Sequence, residues 1–324
     1  MTIASTINLS REERDAEIIA SIGLKNIRAR EKQVERRNLM RAALFMAPAL
    51  ILVIGVLLVP VVYNVWTSFT KWKQFKGWDE FAGMANYQKM STNPFFMDAL
   101  TNTGIWVVAS IVFPLVIGLG FALLFRNAPL SGFFKNVIFL PRILAPTAVG
   151  ILWYYVYAPD GILNYFIGLF TGGETDTGWL YEAGTVTPSI VVAFLWQTVG
   201  LSMVLLILGL AAIPKDPIQA AQIDGATRFQ IFWHITLPLL MPTILVVTIL
   251  SVLAGFTAFD LLWVMGGDYP RQRTLSLAVF MYFEAFQKGN WAFGSAVAVT
   301  MGIVVLAVTW VQAWVQQYVD KRIH

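Results

Sequence analysis

Long apolar stretches dominate this 324-residue sequence and constrain its fold more than any other feature. Each of six nearly uncharged stretches can hold about 20 apolar residues, the length that a helix needs to cross a bilayer. They cover residues 42–70, 99–125, 136–159 (interrupted by Arg142), 183–214, 229–259 and 289–319. Only 13% of the residues are charged, against roughly 25% in soluble domains. The period-two alternation of a β-barrel is missing, so the sequence predicts an all-α integral membrane protein with six transmembrane helices.

Basic residues are distributed unevenly between the two sets of connecting segments. Segments 1–41, 126–135, 214–238 and 317–324 hold 15 Lys and Arg residues, whereas segments 67–97, 158–185 and 266–288 hold seven. Cytoplasmic segments carry the excess of basic residues in membrane proteins. We therefore expect both termini in the cytoplasm, with a cytoplasmic tail at 1–40, a transmembrane domain at 41–318 and a cytoplasmic end at 319–324.

The N-terminal tail mixes acidic and basic residues and precedes the first span by about 40 residues. It is too long and too acidic for a secretory signal peptide. We expect a solvated or surface-lying helix whose Arg36, Arg37 and Arg41 contact anionic membrane lipid. Docking against a partner subunit is the alternative role of this tail.

The residue inventory excludes most kinds of catalytic and cofactor site. The chain has no Cys and only two His, His234 and His324, which leaves no thiolate metal site and no plausible His–carboxylate triad. No Gly-Lys dipeptide occurs, so a P-loop for ATP is impossible. No basic and aromatic platform suggests nucleic-acid binding. We predict no catalytic residue, no metal and no cofactor bound by this chain.

A polar insert at 214–238 separates the fourth and fifth predicted spans. Asp216 precedes Pro217, and Gln219 follows Asp216 by three residues, as in a capping box. These signals predict a helix that starts at Pro217. Gly225 can adopt the left-handed conformation that ends such a helix.

A second helix signal follows the glycine directly. Thr227 and Gln230 repeat the capping-box spacing, so a helix is predicted to begin at Arg228 and to run toward His234, ending before Pro238. Helix, glycine elbow and helix together form a rigid cytoplasmic knob, which favours a docking element over a bland loop.

The insert "QAAQIDGATRFQIFWHITLPLLMP" resembles the EAA loop of bacterial ABC importer permeases. The matching residues are Ala220, Ala221, Asp224, Gly225, Ala226, Phe232, Ile235, Leu237, Pro238 and Pro242. The stretches "FAGMANYQKM", "IFLPRILAPTAVGILW", "WQTVGLSMVLLILGLAAIP" and "FDLLWVMGGDYP" are similar to the carbohydrate branch, which includes maltose and glycerol-phosphate permeases. The resemblance covers residues 40–320 or so.

The resemblance implies a transport subunit of the bacterial inner membrane and not an enzyme. In this family the loop is a coupling helix that sits in a cleft of a cytoplasmic ATPase dimer, which binds ATP and Mg. The implied coupling residues are Gln219, Ala220, Ala221, Asp224, Gly225, Ala226 and Thr227. A second permease subunit, expected to be an unlike chain, would complete the path for a sugar or sugar-like solute. A periplasmic binding protein would deliver that solute.

The solute path is expected between the fourth and fifth spans, because the loop joins those two helices directly. Its candidate residues are Trp196, Gln197, Thr198 and Ser202 on the fourth span, and Ser251, Gly255, Thr257 and Asp260 on or after the fifth. Hydroxyl and amide groups suit sugar hydroxyls, and an indole suits the apolar face of a sugar ring. The alternative is that these side chains bond to their own helices or fill helix interfaces.

An ion-gradient-driven secondary transporter is the alternative function. It would need titratable groups buried in the membrane, and only Arg142 and Asp260 qualify. Counted from the nearest cytoplasmic residues, Arg142 is about 10 Å and Asp260 about 33 Å along a helix. We therefore expect Arg142 to extend toward the cytoplasmic face, far from Asp260, so the two could not easily exchange a proton.

The sequence departs from the family pattern where Gln219 replaces the leading glutamate. We predict that Gln219→Glu is tolerated, because an exposed ion pair contributes only about 0–1 kcal/mol, or at most about fivefold in rate. ATPase activity of the assembled complex and co-purification of the ATPase subunit provide the measurements. Complete loss of assembly would show that the partner cleft excludes a negative charge.

Overall fold

A computed structural model describes residues 11–74, 77, 80–126, 128–173, 175–182, 184–266 and 274–323 of the chain. Two units can be separated, residues 1–63 and residues 64–324. The first unit consists of helix α1 (Arg11–Leu52), a π-helical segment (Val53–Leu58) and the start of α2 (Val59–Ser68). The boundary predicted at residue 40 lies inside α1. Among the residues whose burial is described, the large apolar side chains of α1 from Leu39 to Leu52 are exposed, as expected of a helix that faces lipid or another subunit.

The second unit is built from helices of very different lengths. The long ones are α4 (Pro94–Phe125), α8 (Val186–Ala212), α11 (Leu237–Phe256) and α14 (Trp291–Ile323). The short ones are α3 (Ala85–Ser91), α5 (Ser131–Phe139), α6 (Pro146–Val156), α7 (Ile162–Thr171), α9 (Lys215–Ile223), α10 (Arg228–Ile231), α12 (Asp260–Gly266) and α13 (Leu277–Tyr282). A 3-10 turn (Leu140–Ile143) follows α5, and π-helical segments follow α10 (Phe232–Thr236) and α13 (Phe283–Gln287).

Five helical runs in the described residues are long and apolar enough to cross a membrane. They are Lys32–Ser68, Pro94–Phe125, Val186–Ala212, Arg228–Gly266 and Trp291–Gln317. A bent pair, Ser131–Ile143 and Pro146–Val156, makes a sixth if it counts as one span. The predicted all-α membrane fold is confirmed, and each predicted span corresponds to one of these runs.

The third span, predicted at 136–159, is not one straight helix. Its two halves meet at an angle of 100°. Leu144 and Ala145 are extended, with ψ of 142° and 137°. Pro146 accounts for the second of these, because a proline disfavours the helical conformation in the residue before it. The Gln197 side chain of α8 donates a hydrogen bond of 3.0 Å to the Leu144 carbonyl. A carbonyl freed by the break is thereby satisfied, as a low-dielectric environment requires.

The packing of α4, α8 and α11 forms the centre of the second unit. Near the 214–238 segment, Leu206 and Leu210 of α8 pack with Leu240 and Val247 of α11 in one buried cluster. A larger cluster at the other end includes Trp106 and Phe194, whose rings meet edge to face at 5.9 Å. The three helices are therefore held together at both ends.

Small residues allow these helices to approach closely. A Cβ on Gly118 of α4 would lie 3.0 Å from the Ser202 Cβ of α8, and one on Gly255 of α11 would lie 3.0 Å from the Val107 Cα of α4. Gly200 of α8 meets the backbone at Ile138 and Phe139 in α5. Such contacts are typical of helix association in membranes, where dispersion attraction replaces the hydrophobic effect.

We predict that Gly200→Ala lowers the unfolding temperature of the purified protein, because the added methyl group would collide with the α5 backbone. Overpacking of this kind costs about 1–3 kcal/mol. Gly120→Ala on α4 is the matched control, since nothing lies within 4 Å of a Cβ at that position. Equal unfolding temperatures for the two variants would contradict the close α5–α8 contact.

Candidate functional site

Helix α9 opens the 214–238 loop and begins earlier than the sequence suggests. It runs from Lys215 to Ile223, and Pro214 precedes it with extended backbone and no side-chain cap. The predicted start at Pro217, with Asp216 as cap and Gln219 as its capping-box partner, is therefore wrong. First-turn amides have no intrahelical acceptor, so Pro217 fits at the third helical position without losing a hydrogen bond. Asp216 lies in the first turn, where its negative charge interacts favourably with the helix dipole.

The elbow after α9 has the predicted glycine geometry. Gly225 has φ of +80°. The Ala226 amide donates to the Ala221 carbonyl (2.9 Å) and the Gly225 amide to the Gln222 carbonyl (3.2 Å). These two bonds form a Schellman motif, which satisfies the last carbonyls of the helix. A rigid turn thus ends α9.

The second helix of the loop begins as predicted but ends elsewhere. The Thr227 hydroxyl accepts from the Gln230 amide (3.3 Å), and the Gln230 side chain accepts from the Thr227 amide (2.8 Å), which completes the capping box. The helix does not stop before Pro238. It continues through the π-helical segment into α11, and Pro238 is the second residue of α11, directly after that segment. The elbow is therefore joined to the fifth span by continuous helix.

One side of the loop is anchored and the other is exposed. Ile218 packs against the buried cluster of α8 and α11. Ile223 and Phe229, on either side of the elbow, are 86% and 72% exposed. A cleft of about 430 Å³ next to them is lined by Asp224, Gly225, Ala226, Gln230, Ile231, His234 and Ile235. Sequence reasoning missed the two exposed apolar residues, although their positions beside Gly225 gave a usable signal.

A second candidate site is a small cavity between α4, α8 and α11, called here the central cavity. Its volume is about 90 Å³, and its lining residues are Ser110, Pro114, Arg142, Phe194, Thr198, Leu201, Ser202, Leu205, Val247, Leu250, Ser251 and Ala254. The structure thus brings together three predicted path residues, Thr198, Ser202 and Ser251. Ser110 was not predicted, because its approach to α11 depends on helix packing that no local pattern reveals.

The hydroxyl groups around the central cavity are paired to different extents. The Ser110 hydroxyl donates to the Ser251 carbonyl across the α4–α11 interface (2.8 Å), and Thr198 bonds to the Phe194 carbonyl of its own helix (2.8 Å). Ser202 and Ser251 are 6% and 7% exposed, and neither hydroxyl has a hydrogen-bond partner within the described residues.

The other predicted path residues do not line this cavity. Trp196 contacts Trp153 edge to face at 5.9 Å, and Gln197 bonds to Leu144 at the helix break. The Thr257 hydroxyl bonds to the Leu253 carbonyl of its own helix. Gly255 faces Ser110 and Val107 of α4. For these four residues the structure supplies contacts of the kind expected from packing and local bonding.

Arg142 is exposed and lies in the 3-10 turn before the helix break. It lines the central cavity together with Ser110 of α4 and Ser202 of α8. The expectation that its side chain extends toward the cytoplasmic face stays a prediction. Asp260 is exposed at the start of α12 and does not line the cavity, so the pair offers no proton path.

A family model described as "Binding-protein-dependent transport system inner membrane component" matches residues 114–324, from the middle of α4 to the end of the chain. The chain belongs to this family. The permease is 31% identical over 233 residues to the probable ABC transporter permease protein YurN of Bacillus subtilis. The aligned region covers 71% of this chain and 80% of YurN. It is 32% identical over 228 residues to the multiple sugar-binding transport system permease protein MsmF of Streptococcus mutans. This alignment covers 68% of this chain and 76% of MsmF.

Solved structures share the fold of the permease. A bacterial ABC transporter involved in import of the acidic polysaccharide alginate superposes with a TM-score of 0.76 at 19% identity, covering 89% of this chain and 98% of that one. Family and fold together confirm a multi-pass inner-membrane transport component. They also confirm that the permease has a transport role and not an enzymatic one.

We predict that Gln197→Leu lowers the unfolding temperature of the permease, because the Leu144 carbonyl would lose its partner at the helix break. An unsatisfied buried polar group costs about 1–3 kcal/mol. Thr198→Val is the neighbouring control, since its hydroxyl bonds only to a carbonyl of its own helix. A Gln197→Leu protein as stable as the control would show that this bond does not hold the break.

Proposed function

We propose that the chain is the solute-conducting subunit of an ATP-driven importer for sugar-like solutes. ATP and Mg would bind to separate cytoplasmic ATPase subunits, and the 214–238 loop would transmit their movement to the spans. The observation that carries this proposal is the rigid elbow at Gly225, which has exposed apolar side chains on both sides and continuous helix into α11. Similarity to a permease named for multiple sugars supports the solute class.

The loop has the physical properties of a docking element. Ile223 and Phe229 would keep their apolar surface exposed to water if the loop had no partner. Burial of this surface in a partner cleft would remove the free-energy cost of that exposure. Gln219, Ala220, Ala221, Asp224, Ala226 and Thr227 would complete the docking face. Ala220 and Asp224 are exposed, so a partner has access to them. The loop and both termini would then lie on the cytoplasmic side.

The solute would pass beside the central cavity, where Thr198 and Ser202 of α8 meet Ser251 of α11. The loop joins these two helices, so a displacement of the loop would move them first. The cavity holds about 90 Å³, below the roughly 300–1,000 Å³ of small-molecule sites. A second permease subunit, which we infer to be an unlike chain, would supply the facing wall of the path. A periplasmic binding protein would deliver the solute.

We predict that Gly225→Val uncouples ATP hydrolysis from transport while the chain still inserts into the membrane. No atom lies within 4 Å of a Cβ at this position, so the effect comes from backbone conformation alone. Left-handed backbone costs an ordinary residue about 1–2 kcal/mol, and Asn tolerates it better than a β-branched residue does. Gly225→Asn should therefore retain more coupling than Gly225→Val.

The measurements are ATPase activity stimulated by the binding protein and co-purification of the ATPase subunit with each variant. Membrane levels of the permease provide the control for insertion. Wild-type values of both measurements in Gly225→Val would contradict docking through the elbow.

A further inference from the structure

The positive charge of Arg142 is not compensated within the described residues. It lines the central cavity, and none of the other lining residues is charged. No ion pair joins Arg142 to a carboxylate in the described part of the chain. Ionisable side chains inside a membrane domain normally pair with each other or face a substrate path. A negatively charged group from outside the chain is therefore the expected partner of Arg142.

Two nearly buried hydroxyls beside Arg142 point to the same conclusion. Ser202 and Ser251 lie on different helices, and both line the cavity. Ser251 has no bond to its own helix, unlike Thr248 one turn before it, whose hydroxyl donates to the Ile244 carbonyl (2.8 Å). Neither hydroxyl oxygen is among the fully buried, unpaired side-chain atoms of the described residues, so both are accessible from the cavity. Both hydroxyls are thus available to donate to an acceptor in the cavity.

We propose that Arg142, Ser202 and Ser251 form a subsite for an anionic group, so that the transported solute is a sugar derivative bearing a carboxylate or a phosphate. This inference rests on the proposed function, because it assigns the chemistry of the solute on that path. A guanidinium binds carboxylate and phosphate oxygens through two parallel hydrogen bonds, and serine hydroxyls donate to the remaining oxygens.

The size of the central cavity fits a charged group better than a whole sugar. Its volume of about 90 Å³ is well below the roughly 300–1,000 Å³ of sites that enclose a whole small molecule. The carboxylate or phosphate would enter the cavity, and the sugar rings would remain in the path outside. Gln197 acts as a positioning residue, since its bond to Leu144 fixes the break immediately after the turn that carries Arg142.

The test uses the complete importer, with its partner subunits, in lipid nanodiscs. Glucuronate, glucose 1-phosphate and neutral glucose are titrated at constant ionic strength, and the unfolding temperature of the permease reports binding. We expect a saturable rise with at least one of the two anions and a much smaller rise with glucose. Comparison of the two anions distinguishes a carboxylate subsite from a phosphate subsite.

Arg142→Gln should weaken binding of the effective anion by about tenfold or more, because hydrogen bonds to a charged group are stronger than neutral ones. Arg142→Lys should retain part of the affinity, since it keeps the charge without the planar fork. Lys135→Gln is the control, because it removes a positive charge from α5 that does not line the cavity. The Lys135→Gln importer should bind the effective anion with the affinity of the wild type.

Several results would overturn the anion subsite. They are an equal response to glucose, no response to either anion in the wild type, and unchanged anion affinity in Arg142→Gln. Loss of the second permease from the Arg142→Gln complex would show instead that Arg142 pairs with that subunit. Co-purification of an ATPase subunit is measured in the same samples. Its absence would refute the proposed function, whereas its presence without anion selectivity would refute only the subsite.

Discussion

Close approach of α4, α8 and α11 is the constraint on which the rest of the second unit depends. Lipid offers no hydrophobic drive for helix association, so the helices must gain dispersion contacts and interhelical hydrogen bonds. Gly118, Gly200 and Gly255 permit backbone contact, and the Ser110 hydroxyl crosses to the α11 backbone. A larger side chain at Gly118 or Gly255 would push α4 away from α8 or α11 and disturb the central cavity between them.

The same packing connects the loop to the cavity. The elbow at Gly225 leads through α10 and the π-helical segment into α11, and Ser251 lies further along that helical run. On the other side, α8 carries Thr198 and Ser202 and ends at Ala212, just before α9. Because both walls of the cavity belong to helices that the loop joins, a movement of the loop would change the cavity without any additional linkage. The proposed coupling therefore needs only two helices and one turn.

Local signals predicted part of this site and failed where packing decides. The left-handed Gly225 and the Thr227–Gln230 capping box follow from short-range chemistry, and both were predicted correctly. The start of α9 was misjudged because Asp216 and Pro214 compete as boundaries, and the extended Pro214 backbone prevails. Pro141 and Pro146 are the local signal of the break in the third span, which the length of the uncharged stretch alone does not show. Arg142 gained its place beside Ser110 only through that break, which sequence periodicity does not encode.

The most direct test of the account is photocrosslinking from Ile223, which is 86% exposed at the elbow. Benzoylphenylalanine would replace Ile223 in intact membranes, and mass spectrometry would identify the crosslinked protein. Leu208, which is 62% exposed on α8, provides the control position within the predicted span. The account predicts a crosslink to an ATP-binding subunit from position 223 and none from position 208. A crosslink from position 223 to lipid or to the second permease, with no ATPase product, would contradict the account.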